Sequence, residues 1–302
     1  MERTKFIGIC IDGSEGYINR ETMILQAAIG DAYGAGFEFQ KQEFIDEYND
    51  VTTYYPHGLY IEIYKRYTDD TQMAIAITEL VLEDLDWTEE RVAQKFVEVF
   101  HRDKRRGYSD RVYNALDISK NGNEFMANLT FQSSGNGSAM RAYPIGFIKD
   151  IPTLLKCCEI QAKTSHNTTE GIQCAKRIAL AVHFYRYGLD VKYDLIEFLN
   201  LTLNENETYE IIAPIDMHGY PTTKTVIKLV SEATSMHHCL QEGISYGGDT
   251  DTVAALCMAI LSQKVNCEKS LPSFLFDELE NGPYGREFLM NLDYKLEEKF
   301  KK

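Results

Sequence analysis

The 302-residue chain lacks the marks of several large protein classes. No stretch approaches the ~18 apolar residues of a membrane span, and the opening MERTKFIGICIDGSEG has no long apolar run behind a basic start. Neither a span nor a secretory signal is expected. Repeats and low-complexity tracts are absent and the seven prolines are scattered, so nothing marks a linker between domains. None of the seven cysteines pairs at C-x-x-C spacing, the count is odd, and Cys157 and Cys158 are adjacent, so reduced thiols in a cytoplasmic protein are expected. Positive charge is short as well. The 31 Lys+Arg face 46 Asp+Glu, and the net charge of −15 gives a field that repels phosphate backbones and anionic lipid. Nucleic acid and membrane are poor partners for such a chain.

What is present is apolar sequence at helical spacing. With 44% hydrophobic residues the chain can bury a substantial core. Apolar positions recur with helical period in 23–29, 73–85, 92–100, 172–187, 195–203, 226–240, 253–261 and 288–300, several with Ala-rich interiors suited to close packing. The segment Leu59–Tyr64 alternates in a way that suits a short edge strand, but it precedes a polar motif and is read as loop. The pattern predicts an all-α fold in a single domain, and the mixed, Gly-containing opening 1–20 precedes the first clear helix.

Two polar clusters carry oxygen ligands at predicted helix starts: Thr68-Asp69-Asp70-Thr71 and Asp249-Thr250-Asp251-Thr252. Capping would need one Asp or Thr at each helix, whereas neighbouring carboxylates repel unless a cation or proton is shared. Two such clusters favour a metal site. Oxygen ligands without His or Cys point to a hard ion, Mg²⁺ or Mn²⁺, and four carboxylates can hold two ions at the ~3.5–4 Å separation of binuclear centres. Gly247-Gly248 permits a tight turn just before Asp249. Three other segments are weaker: Gly30 to Glu38, read as a glycine helix end followed by a carboxylate; Gly135 to Arg141, a Gly-rich loop entering a helical turn; and Ser165 to Gly171, a helix start with hydroxyls and His166. The basic stretch Arg102–Tyr108 (RDKRRGY) is read as a solvated helix end.

The motifs GDAYGAGFE, TDDTQMA, GNGSAMRAYPIG, SHNTTEG and GGDTDTVAAL, in this order from about Thr22 to Ile260, resemble those of the ADP-ribosylglycohydrolase family. Five ordered motifs coincide by chance far less often than one. The resemblance implies a compact all-α, single-domain multi-helix bundle over 22–302, preceded by an N-terminal extension at 1–21, with a binuclear centre of two Mg²⁺ (or Mn²⁺) at the base of a cleft. Thr68, Asp69 and Asp70 resemble the first ligand set, and Asp249, Asp251 and Thr252 the second. Glu38 falls where the family has a carboxylate on a mobile loop, with catalytic roles implied for Glu38, Asp69, Asp70 and Asp251. Gly135, Asn136, Gly137, Ser138, His166, Thr169 and Gly171 would then contact the phosphates and riboses. Two departures, Thr168-Thr169 for a frequent His-Pro pair and Gly36 for a frequent proline, leave the acceptor open.

The implied activity is metal-dependent hydrolysis of the bond between ADP-ribose and a modified protein, arginine first among acceptors. An oxocarbenium-like transition state needs the sugar oriented, a water supplied and the leaving group assisted. A catalytically silent protein that blocks an ADP-ribosyltransferase, and a metal-dependent phosphohydrolase, are the other readings. The family resemblance also suggests an immunity protein, with residues 1–20 packing on the body through Phe6, Ile7, Ile9 and Ile11 or contacting a transferase toxin.

Overall fold

Seven side chains, Thr68, Thr88, Asn121, Asp150, Thr168, Asp194 and Ser235, each accept a hydrogen bond from a backbone N–H two or three residues ahead, and each begins a helix. These caps satisfy donors that the first turn leaves unpaired, so short polar residues ahead of apolar runs fix where the elements start. The structure, a computed structural model, describes residues 22–83 and 86–301. Among them lie fifteen helices: α1 (Met23–Gly34), α2 (Gln42–Tyr48), α3 (Asp69–Leu82), α4 (Glu89–Arg102), α5 (Asp110–Ile118), α6 (Gly122–Asn128), α7 (Gly137–Met140), α8 (Ile151–Lys163), α9 (Thr169–Arg186), α10 (Leu195–Leu203), α11 (Gly219–Glu232), α12 (Met236–Ser245), α13 (Thr250–Gln263), α14 (Phe274–Asp277) and α15 (Arg286–Lys299). No strand occurs among the described residues, only three isolated bridges, and the all-α expectation holds. No helix among them is long and apolar enough to cross a membrane.

The core is built around α1 and α13, in which every residue is buried. A helix apolar on all sides has to sit inside others. α3, α9, α11 and α12 pack against α13, and outer helices such as α4 turn one apolar stripe (Val92, Ala93, Phe96, Val97, Val99, Phe100) inward.

The predicted helices are present, with three differences. The single stretch 226–240 is two helices, because Glu268 intervenes: its N–H donates to Thr234 O and its carbonyl accepts from Met236 N–H, in place of the bonds a continuous helix would make there. Residues 61–63 of the LYIEIY segment form a turn of 3₁₀ helix, and neither a strand nor an irregular loop. Helices α2, α5, α6, α8 and α14 have no counterpart in the periodicity; α8 starts at its Asp150 cap with Pro152 in the first turn. The extension read at 1–21, with its expected packing and transferase contact, lies outside the described residues.

Asp293 of α15 reaches back across the chain to cap α1, accepting from Ile24 N–H at 2.8 Å and Leu25 N–H at 3.0 Å. Burial pushes its carboxyl up from the ordinary 3.8 to about 7, outweighing those two bonds, which favour the anion. An acid whose folded pKa lies above its unfolded one binds an extra proton in the folded state between the two. Its contribution is therefore complete at low pH and is lost as pH rises through about 7. Stability should fall between pH 5 and pH 8, and Asp293→Asn, which does not titrate, should show a smaller fall. Denaturant midpoints of both proteins at the two pH values check this, and equal falls would contradict it.

Candidate metal centre and its surroundings

Helix α1 brings the two acidic clusters together. Its small residues allow close approach to α13: a Cβ on Gly30 would stand 2.5 Å from Ala254 O, and one on Gly34 would stand 2.6 Å from Asp251 Cα. Thr250 Oγ1 donates to Gly34 O at 2.8 Å, fixing the start of α13 on the end of α1. Between the two glycines, Asp31 turns the other way and receives the start of α3, accepting from Thr68 N–H at 2.9 Å, Thr71 N–H at 3.0 Å and the Thr71 hydroxyl at 2.6 Å. One helix thus holds both clusters in register. The glycines read as a helix end are packing positions, and only Gly34 is the last helical residue.

Asp69, Asp70, Asp249 and Asp251 are all buried at this junction. Burial pushes Asp70 well above the ordinary carboxylate value, with the charges of Asp69, Asp31 and Asp249 adding to it against a smaller pull from the Thr252 side chain. Asp69 is raised by burial and by Asp31 and Glu38, and Asp251 by burial and by Glu38, Asp70 and Asp249. Asp249 is raised by burial too, although Asn136 donates to it at 2.7 Å and opposes the shift. Buried carboxylates that each resist ionising beside one another are stable only with shared protons or cations. The buried Oδ1 of Asp70 has no hydrogen-bond partner among the described residues. Ligand oxygens of Glu38, Asp249 and Asp251 lie within 4.8 Å of one another, a span that one cation can bridge. An all-oxygen donor set with an orphaned carboxylate oxygen fits a hard divalent ion.

Each predicted ligand is in this neighbourhood. The Thr68 hydroxyl caps α3 by accepting from Asp70 N–H at 3.3 Å, and Thr252 N–H donates to Asp251 Oδ1 at 2.9 Å. Glu38 joins Asp249 and Asp251 more closely than the idea of a separate loop carboxylate suggests. Its loop is tied down where Phe39 N–H donates to Gly248 O at 2.9 Å, and its side chain is 18% exposed, with Oε2 2.7 Å from His57 Nε2.

The Gly-rich loop abuts the same centre. Asn136 links it to Asp249, and Gly137 lies so close to His166 that a Cβ would stand 2.7 Å from the ring. Burial, with the positive charges of Arg141 and Arg111 nearby, holds the His166 imidazole well below its ordinary 6.5, so the ring is neutral. The amides of Gly135, Asn136 and Gly171 donate within the chain, to Ser133 Oγ, Met217 O and Thr168 Oγ1. Ser138 is fully buried, its hydroxyl bonded to Gly171 O at 2.8 Å. Of the predicted substrate-contact residues, Thr169 is the one that is solvent-exposed.

Three features escaped the sequence reading. Asp31 lies within the GDAYGAGFE motif, which by itself gives it no role. His57, beside Glu38, stands outside every motif. The stretch Arg102–Tyr108 is a solvated helix end only in part: α4 ends at Arg102 and Lys104 and Arg106 are exposed, but Arg105 is buried, lies 3.4 Å over the Tyr67 ring and is ion-paired with Asp103 and Glu280. Gly107, at φ +109°, lies against Asp69, where a Cβ would stand 2.1 Å from Oδ1. Tyr108 is buried and donates to Gln72 Oε1 at 2.8 Å.

Residues 21–301 match the model of the ADP-ribosylglycohydrolase family. The ADP-ribosylhydrolase ARH3 of Xenopus tropicalis is 26% identical over 298 residues, covering 78% of this chain and 84% of the relative. The ADP-ribosylarginine hydrolase Tri1 of Pseudomonas putida is 22% identical over 251 residues, covering 77% of this chain and 66% of the relative. The fold is similar to that of a solved ADP-ribosylglycohydrolase-related protein complex, with a TM-score of 0.68 at 18% identity over 92% of this chain and 96% of that one. With the match running over nearly the whole length, the chain belongs to the ADP-ribosylglycohydrolase family.

Proposed function

We propose that the protein hydrolyses the glycosidic bond between ADP-ribose and a protein side chain, with arginine as the acceptor, and that two Mg²⁺ or Mn²⁺ ions are held by Thr68, Asp69, Asp70, Asp249, Asp251 and Thr252. The observation that carries the metal reading is the buried carboxylate crowd with its unpartnered Asp70 oxygen at the joined starts of α3 and α13. The arginine reading draws on the name of the Pseudomonas putida relative. Bound divalent ions supply charge that offsets the carboxylates, chelation of ribose hydroxyls and polarisation of water.

The chain's own residues do the rest. In the reaction the ribose C1–N bond breaks, a water oxygen bonds to C1, and the guanidine leaves carrying the proton it needs. Glu38, partly exposed beside Asp249 and Asp251, is placed to orient that water or take its proton. Asn136 holds Asp249 Oδ2 and so fixes which oxygen of that carboxylate faces the centre. His166, kept neutral by burial, lines the Gly-rich loop without adding charge near the substrate.

Proteins carrying ADP-ribose on arginine, on serine and on other side chains, each incubated with the metal-stripped chain before and after return of Mg²⁺ or Mn²⁺, test the proposal. Release from the arginine-linked protein, dependent on the added ion, is the expected result. Metal-independent release would remove the ion from the proposal, and preference for another linkage would remove arginine.

A further inference from the structure

Among the described polar contacts at the centre, one joins Glu38 to a residue with no assigned role. His57 is buried, and its Nε2 lies 2.7 Å from Glu38 Oε2. The other ring nitrogen faces two backbone donors: Leu59 N–H at 2.9 Å and Tyr60 N–H at 3.0 Å both point to Nδ1. A nitrogen that accepts two N–H bonds carries no proton, so the ring proton sits on Nε2 and is donated to the Glu38 carboxylate. The ring is also fixed in plane by stacking on Tyr60, with centroids 5.2 Å apart and planes 20° apart. The tautomer and the orientation are therefore both set by the backbone that follows the histidine.

We propose that His57 is a positioning residue for Glu38: the Leu59 and Tyr60 amides hold its ring as an Nε2–H donor, and that donor fixes the rotamer of the Glu38 carboxylate towards the substrate. The inference rests on Glu38 acting in the reaction. Nothing else among the described hydrogen bonds holds the Glu38 carboxylate: its one side-chain partner is His57. A charge-assisted bond to a half-buried carboxylate is among the stronger single contacts, and a carboxylate displaced by about 1 Å can cost on the order of 10²-fold in rate.

Two substitutions separate the two nitrogens. His57→Asn keeps an acceptor near Nδ1 for the Leu59 and Tyr60 amides but loses the donor to Glu38. His57→Gln keeps an N–H donor near Nε2 but loses the acceptor. With the full chain, Mg²⁺ and an arginine-ADP-ribosylated protein, His57→Asn should lower kcat by roughly 10- to 100-fold with KM changed by less than about threefold. His57→Gln should recover kcat to within a few-fold of wild type, even where its thermal midpoint is the lower of the two. In a Glu38→Ala background, His57→Asn should lower kcat no further. If His57→Asn keeps wild-type kcat while Glu38→Ala loses it, or if the two losses multiply, His57 does not act through Glu38 and the proposal is overturned. If Glu38→Ala itself keeps wild-type kcat, the role of Glu38 fails first, a result distinct from the other two.

Discussion

Asp251→Ala is expected to abolish turnover and, in the same protein, to leave the metal-free fold at least as stable as wild type. Asp251 lies in the first turn of α13, buried, and its carboxyl is pushed well above the ordinary range by burial and by the charges of Glu38, Asp70 and Asp249. Removing it takes one like charge out of a crowded pocket, which relieves repulsion when no cation is present. The same removal takes away one of the three oxygens that lie within 4.8 Å in the Glu38, Asp249 and Asp251 group. A site that binds only the folded state stabilises it by about 2.7 kcal/mol at a hundredfold excess of ion over Kd. Wild type should therefore gain several degrees in Tm on adding Mg²⁺ or Mn²⁺, and Asp251→Ala should gain little. Thermal melts of the two proteins, with chelator and with ion, read both effects. A variant that kept the ion-dependent gain and its turnover would show that Asp251 is not a ligand.

Gly248→Ala should unfold or severely destabilise the chain, by about 3 kcal/mol or more. Gly248 has φ +85°, in the left-handed region, and a Cβ there would stand 1.8 Å from Ile215 O, a backbone atom that cannot swing aside. The same carbonyl accepts from Asp249 N–H at 2.9 Å, and Gly248 O accepts from Phe39 N–H at 2.9 Å. A methyl group at this position therefore pushes apart the start of α13, the segment around Ile215 and the Glu38 loop together. Gly188→Ala is the internal comparison. Gly188 also has a positive φ, +65°, but a Cβ there would meet nothing within 4 Å. Its cost should be about 1 kcal/mol, that of backbone conformation alone. Denaturant midpoints for both variants measure the difference, and equal costs would mean that the close approach at Ile215 does not matter.

These two sites differ in how much of them the sequence made legible. The clusters at 68–71 and 249–252 were readable because capping and ligation both act within a few residues of a helix start, and local spacing records that. The helices at 195–203 and 253–261 were readable for the same reason, since periodicity is local. What periodicity cannot record is where a side chain lands after the chain has folded. Asp31 meets Thr68 and Thr71 across 37 and 40 residues, and Asp293 meets Ile24 across 269. A signal existed for Asp31: a lone carboxylate within an otherwise uncharged, largely apolar helix has to find donors when that helix is buried. The break at 233–235 carried only the short local signal of Ser235, which caps α12, while Glu268, which takes up the backbone bonds there, arrives from a distant segment. Arg102–Tyr108 misled in the opposite direction. Its charges suggested solvent, yet Arg105 is buried because Glu280, Asp103 and the Tyr67 ring enclose the guanidinium. Gly107 is then fixed beside Asp69 by space, since any side chain would occupy the carboxylate's place.

The central claim is that the buried carboxylate centre serves cleavage at the ribose C1, and not at phosphorus. The most direct measurement is the mass of the small product released from an arginine-ADP-ribosylated protein by the full chain with Mg²⁺. Intact ADP-ribose, with the acceptor protein returned to its unmodified mass, is the predicted result. Release of AMP or inorganic phosphate, with a ribose remnant left on the acceptor, would contradict it.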